Sequence, residues 1–293
     1  MEKLSKREQS ATLVESYVNI FQCPICGSAM YVAELKSIKC SKNHSFDFAK
    51  QGYLNLLITP TKTKYDKQLF ESRKYLMGEH SFFEPVISKI YEFIETYSNQ
   101  NKLTILDTGS GDGSHLAKIR KLLVDAGKDV NGVGIDIAKE GILVAAKYYP
   151  KLVWCVADLA NTPFRDKSFH VILNILSPSN YQEFNRILHD DGILIKVVPR
   201  SDYLKEVRTF FYNDSEKQLY SNDDIIRHFK ERTQLLHQET VKYMVTLNKD
   251  AIKALVMMTP LTWGIDENKI DQFLRKGSAK ITVDVDILIG SKE

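Results

Sequence analysis

Three cysteines and one histidine lie close together near the start of the chain. They follow the spacing C-x2-C, then 13 residues, then C-x3-H. Two thiolates within one turn can chelate a single ion, and the second pair can complete the tetrahedron that zinc prefers. Because four protein ligands leave no open coordination position, the pattern predicts a structural zinc site and not a catalytic one. The predicted ligands are Cys23, Cys26, Cys40 and His44.

A glycine-rich turn lies farther along the chain. Residues 106–113 read LDTGSGDG, which places glycines at Gly109, Gly111 and Gly113. Glycines let the backbone turn tightly and let a ligand approach closely. The spacing differs from the G-x-G-x-x-G of a dinucleotide site, and the sequence contains no G-x-x-x-x-G-K-[ST] loop. The turn therefore carries no signal for a diphosphate.

Three aspartates end three successive predicted strands: Asp107, Asp136 and Asp158. In open α/β sheets, groups at the carboxyl ends of parallel strands line one crevice, where ligands bind. Asp136 can accept both hydroxyls of a ribose, and Asp158 can accept the exocyclic amine of an adenine. A cationic, ribose-bearing ligand without phosphate fits this set better than a dinucleotide does. S-adenosylmethionine (SAM) is such a ligand.

The elements that must position these residues alternate along the chain. Apolar segments typical of buried strands are separated by segments with helical spacing, which predicts a mostly parallel sheet with helices on both faces. The period-two segment 281–290 is predicted to be a late antiparallel strand at the edge of this sheet. The other predicted strands are 102–107, 131–136, 152–158, 169–176, 193–199 and 239–247, and the predicted helices are 114–126, 138–149, 181–188, 201–212 and 249–258, with a polar segment over 213–235.

The first 80 residues differ from this pattern. A short helix is predicted within residues 1–20, and the alternating segment 45–57 is expected to close a β-rich zinc module against its own small core. The lysine-rich segment 59–67 favours a loop, and helical spacing resumes at Ser81. The predicted domains are therefore a zinc-binding module over 1–60, a linker over 61–80 and an α/β domain over 81–293.

Composition narrows the class of protein. The 293 residues are 43% hydrophobic and 26% charged, which is typical of a soluble globular protein. No apolar run is long enough for a membrane span, and the N-terminus lacks the apolar core of a signal peptide. Cys155 lies in an apolar strand and is expected to serve packing, so a disulfide framework is not expected. The sequence predicts a cytoplasmic protein with no membrane partner.

Charge is unevenly distributed. The net charge is +3, and residues 1–80 hold 12 Lys/Arg against eight Asp/Glu, a balance of +4. A basic zinc module on a nearly neutral body suits a phosphate backbone as its partner. An ordinary solvated surface explains the charges equally well, and charge alone does not choose between these interpretations.

The glycine turn and its aspartates resemble those of the class I SAM-dependent methyltransferases. The segment from CPICGSAM to CSKNHSFDFAKQGYLNLL narrows the resemblance to the RlmA-type (also RrmA or TlrB) 23S rRNA guanine-N1 methyltransferases. The similarity continues through YDK (65–67), SPSNYQEFNRIL, DGILIKVVP and MMTPLTW (257–263), so it covers nearly the whole chain. It implies a Rossmann-like methyltransferase domain with an N-terminal zinc module, one structural zinc ion, SAM as cofactor and a homodimer.

The resemblance also implies site residues. Phe83 stands where relatives often have tyrosine, and Tyr203 stands where they often have histidine. Besides the glycines and the three aspartates, the implied cofactor contacts are Phe83, Ser114, His115, Leu116, Ile137, Leu159, Asn174 and Tyr203.

The implied reaction is methylation of N1 of a guanine in a hairpin loop of 23S rRNA, with an effect on macrolide sensitivity. The sequence offers no unambiguous general base. The segment after the fourth predicted strand supplies four candidates that could face the base, although capping and turn chemistry around Pro178 explains each of them equally well. These candidates are Asn174, Ser177, Asn180 and Tyr181.

The zinc module is expected to hold the RNA through lysines and aromatic side chains. Its candidate phosphate contacts are Lys36, Lys39, Lys42 and Lys50, and its candidate stacking residues are Tyr31, Phe46 and Tyr53. Two alternatives remain open on the sequence alone. One is a methyltransferase of the same fold that acts on a small molecule or a protein, and the other is an inactive RNA-binding protein.

Overall fold

The computed structural model of the chain describes residues 4–61, 63–212 and 220–292. Two sheets occur in these ranges, and their strands are numbered along the chain. The strands are β1 (Met30–Ala33), β2 (Ser37–Cys40), β3 (Ser45–Asp47), β4 (Leu54–Asn55), β5 (Lys102–Thr108), β6 (Asp129–Asp136), β7 (Val153–Val156), β8 (Phe169–Ile175), β9 (Leu188–Pro199), β10 (Gln234–Asn248) and β11 (Ser278–Ser291).

Ten α-helices accompany the strands in the described part of the chain. They are α1 (Lys6–Glu15), α2 (Lys67–Glu79), α3 (Glu84–Tyr97), α4 (Ser114–Asp125), α5 (Lys139–Tyr148), α6 (Tyr181–Ile187), α7 (Lys205–Tyr212), α8 (Asp223–Lys230), α9 (Lys249–Met258) and α10 (Glu267–Leu274). None of the described helices is long and apolar enough to cross a membrane.

The large sheet has eight strands in the order β10-β11-β9-β8-β5-β6-β7-β4. The six strands from β9 to β4 are parallel, and β11 and β10 are antiparallel additions. The chain passes from β5 to β6 on one side and later returns to β8 on the other, so β5 and β8 flank the point where the strand order reverses. Ligand crevices form at such points, outside the carboxyl ends of the strands. The predicted α/β fold with a mostly parallel sheet is confirmed.

The last strand is antiparallel as predicted, but its predicted position at the edge is wrong. β11 lies between β10 and β9, and residues 281–290 are buried on both faces. Its period-two pattern arises because Asp284 and Asp286 alternate with apolar residues, and these acids are buried in polar contacts. Arg200 lies 3.8 Å from Asp284 and 3.7 Å from Asp286, and Asn222 donates to Asp286 at 2.9 Å. The long strand β10 takes the edge instead.

The predicted linker over 61–80 is also wrong for most of its length. Helix α2 begins after Asp66, whose side chain accepts a hydrogen bond from the backbone N–H of Leu69 at 2.8 Å. Its apolar residues recur at helical spacing and are buried, and the helix packs against α9, α5 and α4. The polar, lysine-rich residues just before the helix led to the prediction of a linker. The buried residues of its apolar face are Leu69, Phe70, Leu76 and Met77.

The zinc module does not have the separate core that the sequence predicts. Strands β1 to β3 form a small antiparallel sheet, but β4 pairs in parallel with β7 of the large sheet. Phe21 packs on Phe164 with ring centroids 5.3 Å apart, and Phe48 and Leu54 belong to the same buried cluster as Val133 of β6. A module of about 50 residues buries too little apolar surface to be stable by itself. Its apolar residues therefore pack against one face of the large sheet and share its core.

The predicted polar segment 213–235 lies partly outside the described residues. Its described portion contains helix α8 and the start of β10. The predicted boundary at residue 60 stays a prediction.

Candidate cofactor crevice and metal centre

The four predicted zinc ligands come together in space. One ligand atom from each of the four residues lies within 4.8 Å of the others. The Cys26 and Cys40 sulfurs are 3.8 Å apart, and His44 Nδ1 lies 3.4 Å from the Cys23 sulfur and 3.5 Å from the Cys40 sulfur. Zinc–sulfur bonds of about 2.3 Å place two sulfurs of a tetrahedron about 3.8 Å apart. The donor set and its spacing therefore fit one four-coordinate zinc ion.

Two tight turns position these ligands. In the first, the backbone N–H of Gly27 donates to Cys23 O at 2.8 Å, and Gly27 has a left-handed φ of 69°. In the second, Asn43 N–H donates to Cys40 O at 2.9 Å, and Asn43 has a φ of 63°. A hydrogen bond with the Ser28 side chain lowers the pKa of Cys26 to about 6. That shift favours the thiolate, which is the form that binds a metal.

The glycine turn joins β5 to α4 and requires glycine at its first and last positions. Gly109 and Gly113 have φ values of 72° and 79°. A Cβ on Gly109 would lie 2.1 Å from the Ser177 hydroxyl oxygen, and a Cβ on Gly113 would lie 2.5 Å from the Trp154 ring. The N–H groups of Gly109 and Ser110 donate to Ile135 O, which ties the turn to β6.

The three predicted aspartates lie at the carboxyl ends of three neighbouring strands. Asp107 is buried, and its Oδ2 accepts no hydrogen bond from the described residues. Asp136 accepts hydrogen bonds from the backbone N–H groups of Gly111 and Ala138, both at 2.8 Å. Asp158 is exposed and accepts from Ala160 N–H at 2.8 Å. The crevice is therefore closed around Asp107 and open towards Asp158.

Burial controls the electrostatics of the closed end. It raises the pKa of Asp107 to about 7, and the neighbouring Asp136 and Asp112 add to the rise while Arg73 opposes it. Burial also raises the pKa of Asp112 and of Asp136, again against the charge of Arg73. The same desolvation lowers the pKa of His115 well below its usual value, so this imidazole is neutral. A cationic ligand at the closed end would relieve the crowding of carboxylates.

The side chains that the resemblance implies divide between the two ends. Five of them are buried at the closed end, where the Phe83 and His115 rings stack at 5.2 Å and His115 Nε2 has no hydrogen-bond partner among the described residues. Ile137 and Leu159 are half-buried at the open end. Their contacts with a cofactor stay predictions. The five buried side chains are Phe83, Ser114, His115, Leu116 and Tyr203.

Sequence reasoning missed Arg73, which belongs to α2. Its Nε lies 3.1 Å from an oxygen of Asp112 in the glycine turn. The Phe70 ring, one helical turn earlier, lies 3.3 Å from the position of a Cβ on Gly111. The apolar residues in 69–77 recur at helical spacing, and this pattern could have predicted the helix that carries Arg73. The segment was instead predicted to be a linker.

Sequence reasoning also missed Lys196, because it lies in the middle of the apolar strand β9. Its Nζ is buried and donates to the Asn174 side-chain oxygen at 2.6 Å, the Ser179 hydroxyl at 2.6 Å and Ser177 O at 3.3 Å. Burial lowers the pKa of Lys196 to about 8. This ammonium holds the turn after β8 in place.

The hydrogen bonds of this network use all the donors and acceptors of the Asn174 side chain. Its amide nitrogen donates to the Thr108 hydroxyl at 3.0 Å and to Pro178 O at 2.8 Å, and its oxygen accepts from Lys196 and from Ser179. An amide has two donors and one oxygen with two lone pairs, so Asn174 has no free capacity for a base.

The remaining base-facing candidates differ in availability. Asn180 caps α6 by accepting from Glu183 N–H at 3.2 Å. Tyr181 is half-buried, and its ring packs against Phe184 and Phe229. The Ser177 side chain is half-buried and lies directly over Gly109 of the glycine turn, so of the four predicted groups it is the one that adjoins this turn.

We expect cofactor binding to depend on the ionisation of Asp107. At pH 6 this carboxyl is mainly protonated because its pKa is raised to about 7. A cation bound in the crevice favours the ionised form, so SAM binding should release a proton at pH 6. Affinity should rise by up to about tenfold per pH unit between pH 5.5 and 7 and then level off. Isothermal titration in buffers of different ionisation enthalpy measures both effects.

The control is Asp107→Asn, which keeps the shape of the side chain but cannot ionise. This variant should bind SAM more weakly above pH 7 and release no proton at pH 6. Proton release that persists in the variant would show that another group titrates.

The fold and the crevice together define a class I SAM-dependent methyltransferase. A family model for a methyltransferase domain matches residues 105–192, which contain the glycine turn and the three strand-end aspartates. A solved structure of a "putative methyltransferase" from Anabaena variabilis ATCC 29413 has the same fold, with a TM-score of 0.50 and 15% identity over 69% of this chain and 96% of that one.

The zinc module identifies the family within this class of methyltransferases. A zinc-ribbon model described as "RlmA, N-terminal" matches residues 21–67. The chain is 46% identical to "Putative 23S rRNA (guanine-N(1)-)-methyltransferase YxjB" of Bacillus subtilis (strain 168), over 94% of this chain and 98% of that protein. It is 26% identical to the "23S rRNA (guanine(748)-N(1))-methyltransferase" of Streptomyces fradiae, over 87% and 90%. The chain belongs to the RlmA-type family of 23S rRNA guanine-N1 methyltransferases, and its cofactors are SAM and one structural zinc ion.

Proposed function

We propose that the protein methylates N1 of a guanine in a hairpin loop of 23S rRNA. One observation carries this proposal: a relative whose name is "Putative 23S rRNA (guanine-N(1)-)-methyltransferase YxjB" matches the chain at 46% identity across both the zinc module and the crevice. A methyltransferase of small molecules would share the crevice but would not need the basic zinc module. An inactive binding protein would not need to keep the unpartnered, buried Asp107.

The reaction transfers a methyl group from the sulfonium of SAM to N1, which loses its proton. Most of the catalysis is positioning, because the attacking nitrogen must lie in line with the methyl carbon. In the proposal, the three strand-end aspartates hold the cofactor, and the turn held by Lys196 places Ser177 beside the target base. Guanine N1 is engaged in base pairing, so the base must be unpaired in a loop or flipped out of its stack.

In the proposal, the zinc module binds the RNA. Lys36, Lys42 and Lys50 are all exposed and available for phosphate contacts, and Lys36 also forms an exposed ion pair with Glu34 at 3.4 Å. Tyr31 is 49% exposed and can stack on a base. Tyr53 is buried in the core, so the structure contradicts its predicted role as a stacking residue.

Primer extension on 23S rRNA tests the proposal, because a methyl group on guanine N1 blocks base pairing and stops reverse transcriptase. RNA from cells that contain the protein should give a strong stop one nucleotide before a guanine in a hairpin loop. Cells without the gene should lack this stop, and the purified protein with SAM should restore it on their rRNA. An identical pattern of stops in both strains would contradict the proposal.

Three finer statements stay predictions. They are a homodimer, a cytoplasmic location and an effect on macrolide sensitivity. Sedimentation equilibrium, cell fractionation and growth of the deletion strain on macrolides test them separately.

A further inference from the structure

Helix α2 brings one guanidinium into the closed end of the crevice. The Arg73 Nε lies 3.1 Å from an oxygen of Asp112, and Nη1 lies 3.5 Å from the position of a Cβ on Gly111. The side chain of Arg73 is 22% exposed. No described residue accepts a hydrogen bond from Nη1 or Nη2, so the two amino groups of the guanidinium have unused donors.

The charges around this guanidinium are unbalanced. Its positive charge acts on three carboxyl groups of the crevice, because it opposes the rise in the pKa of Asp107, Asp112 and Asp136. A single guanidinium cannot neutralise three carboxylates. The crevice therefore has more carboxyl groups than cations, which favours positively charged groups of a ligand. Its one guanidinium favours a ligand that also carries a carboxylate.

The amino-acid end of SAM has the complementary charges. It carries a sulfonium, an ammonium and one carboxylate. The sulfonium and ammonium suit the aspartates, whereas the carboxylate needs a cation. Arginine binds carboxylates through two parallel N–H groups, which makes it the residue best suited to this contact.

We propose that Arg73 binds the α-carboxylate of SAM and so selects ligands that carry the amino-acid end. The inference rests on the cofactor assignment under the proposed function. Helix α2 then has a role in recognition: it carries the counter-charge for the methionine end, while the strand-end aspartates serve the rest of the ligand.

Two ligands that differ only in the amino-acid end test this role. S-adenosylhomocysteine carries the α-carboxylate, and 5′-methylthioadenosine lacks the whole amino-acid portion. In Arg73→Ala, we expect the dissociation constant for S-adenosylhomocysteine to rise about 30-fold, in line with the loss of a charge-assisted hydrogen bond to a carboxylate. The constant for methylthioadenosine should change less than about threefold on the same scale. Isothermal titration gives both values without requiring turnover.

Matched variants separate recognition from folding. Arg73→Lys keeps the charge but loses the paired N–H groups, so its affinity for S-adenosylhomocysteine should lie between those of wild type and Arg73→Ala. Lys74→Ala is the control on the same helix, since the Lys74 amine lies 4.1 Å over the Tyr148 ring, and it should change neither constant.

Three results would overturn the inference. Equal weakening of both ligands in Arg73→Ala would show that Arg73 only supports the glycine turn. Unchanged affinity for both would show that it makes no contact with the ligand. Failure of the wild-type protein to bind either ligand would instead overturn the cofactor assignment, and this inference with it.

Discussion

Gly109→Ala is expected to remove measurable SAM binding, with a dissociation constant raised at least about 100-fold, equivalent to about 2.7 kcal/mol. The new Cβ would lie 2.1 Å from the Ser177 hydroxyl oxygen and 2.8 Å from the Ser177 Cβ. Neither contact is tolerable, and the φ of 72° adds strain for any residue with a side chain. The turn must therefore move, and with it the groups that approach the cofactor. Equilibrium dialysis with labelled SAM measures the loss.

Gly127→Ala provides a matched control. Gly127 also has a left-handed φ, of 93°, but a Cβ there would meet nothing within 4 Å. Both variants carry the same kind of backbone strain, which costs about 1–2 kcal/mol, and only Gly109 adjoins the crevice. Gly127→Ala should therefore lose some thermal stability and bind SAM normally. Equal affinity in the two variants would contradict the assignment of the crevice.

Cys26→Ser is expected to abolish zinc binding and to destabilise the whole chain. Apparent binding free energies of structural zinc reach about 10–16 kcal/mol in small zinc modules, which is comparable with the total stability of a domain. Because Phe21, Phe48 and Leu54 share a core with Val133 and Phe164, loss of the metal should loosen one face of the large sheet as well. We expect Tm to fall by about 10 °C or more. Atomic absorption and calorimetry measure the two effects.

Cys155→Ala is the control for this experiment, because Cys155 is buried in β7 and lies outside the metal cluster. It should keep one zinc per chain and lose only the stability expected for a small cavity, about 1 kcal/mol. Two separate unfolding transitions in Cys26→Ser, with that of the sheet unchanged, would show that the zinc module folds independently. That result would restore the interpretation that the sequence alone suggested.

Local patterns in the sequence were sufficient for the parts of the protein that neighbouring residues determine. The zinc ligands followed from spacing, because each pair chelates the ion within a single turn. The glycine turn and its aspartates followed from their position between an apolar strand and a helix. The alternation of strands and helices over 102–199 was predicted in the correct order, since buried parallel strands have a strong apolar pattern.

Only the tertiary structure decided what depends on contacts between distant segments. It placed Arg73 of α2 beside Asp112, joined Lys196 to Asn174, set β11 inside the sheet and merged the core of the zinc module with that of the large domain. The sequence segments around these features have ordinary local patterns, such as a lysine-rich segment or a period-two strand. The partner that gives each residue its role lies far away in the chain, so the outcome depends on how whole elements pack and not on the periodicity of any one of them.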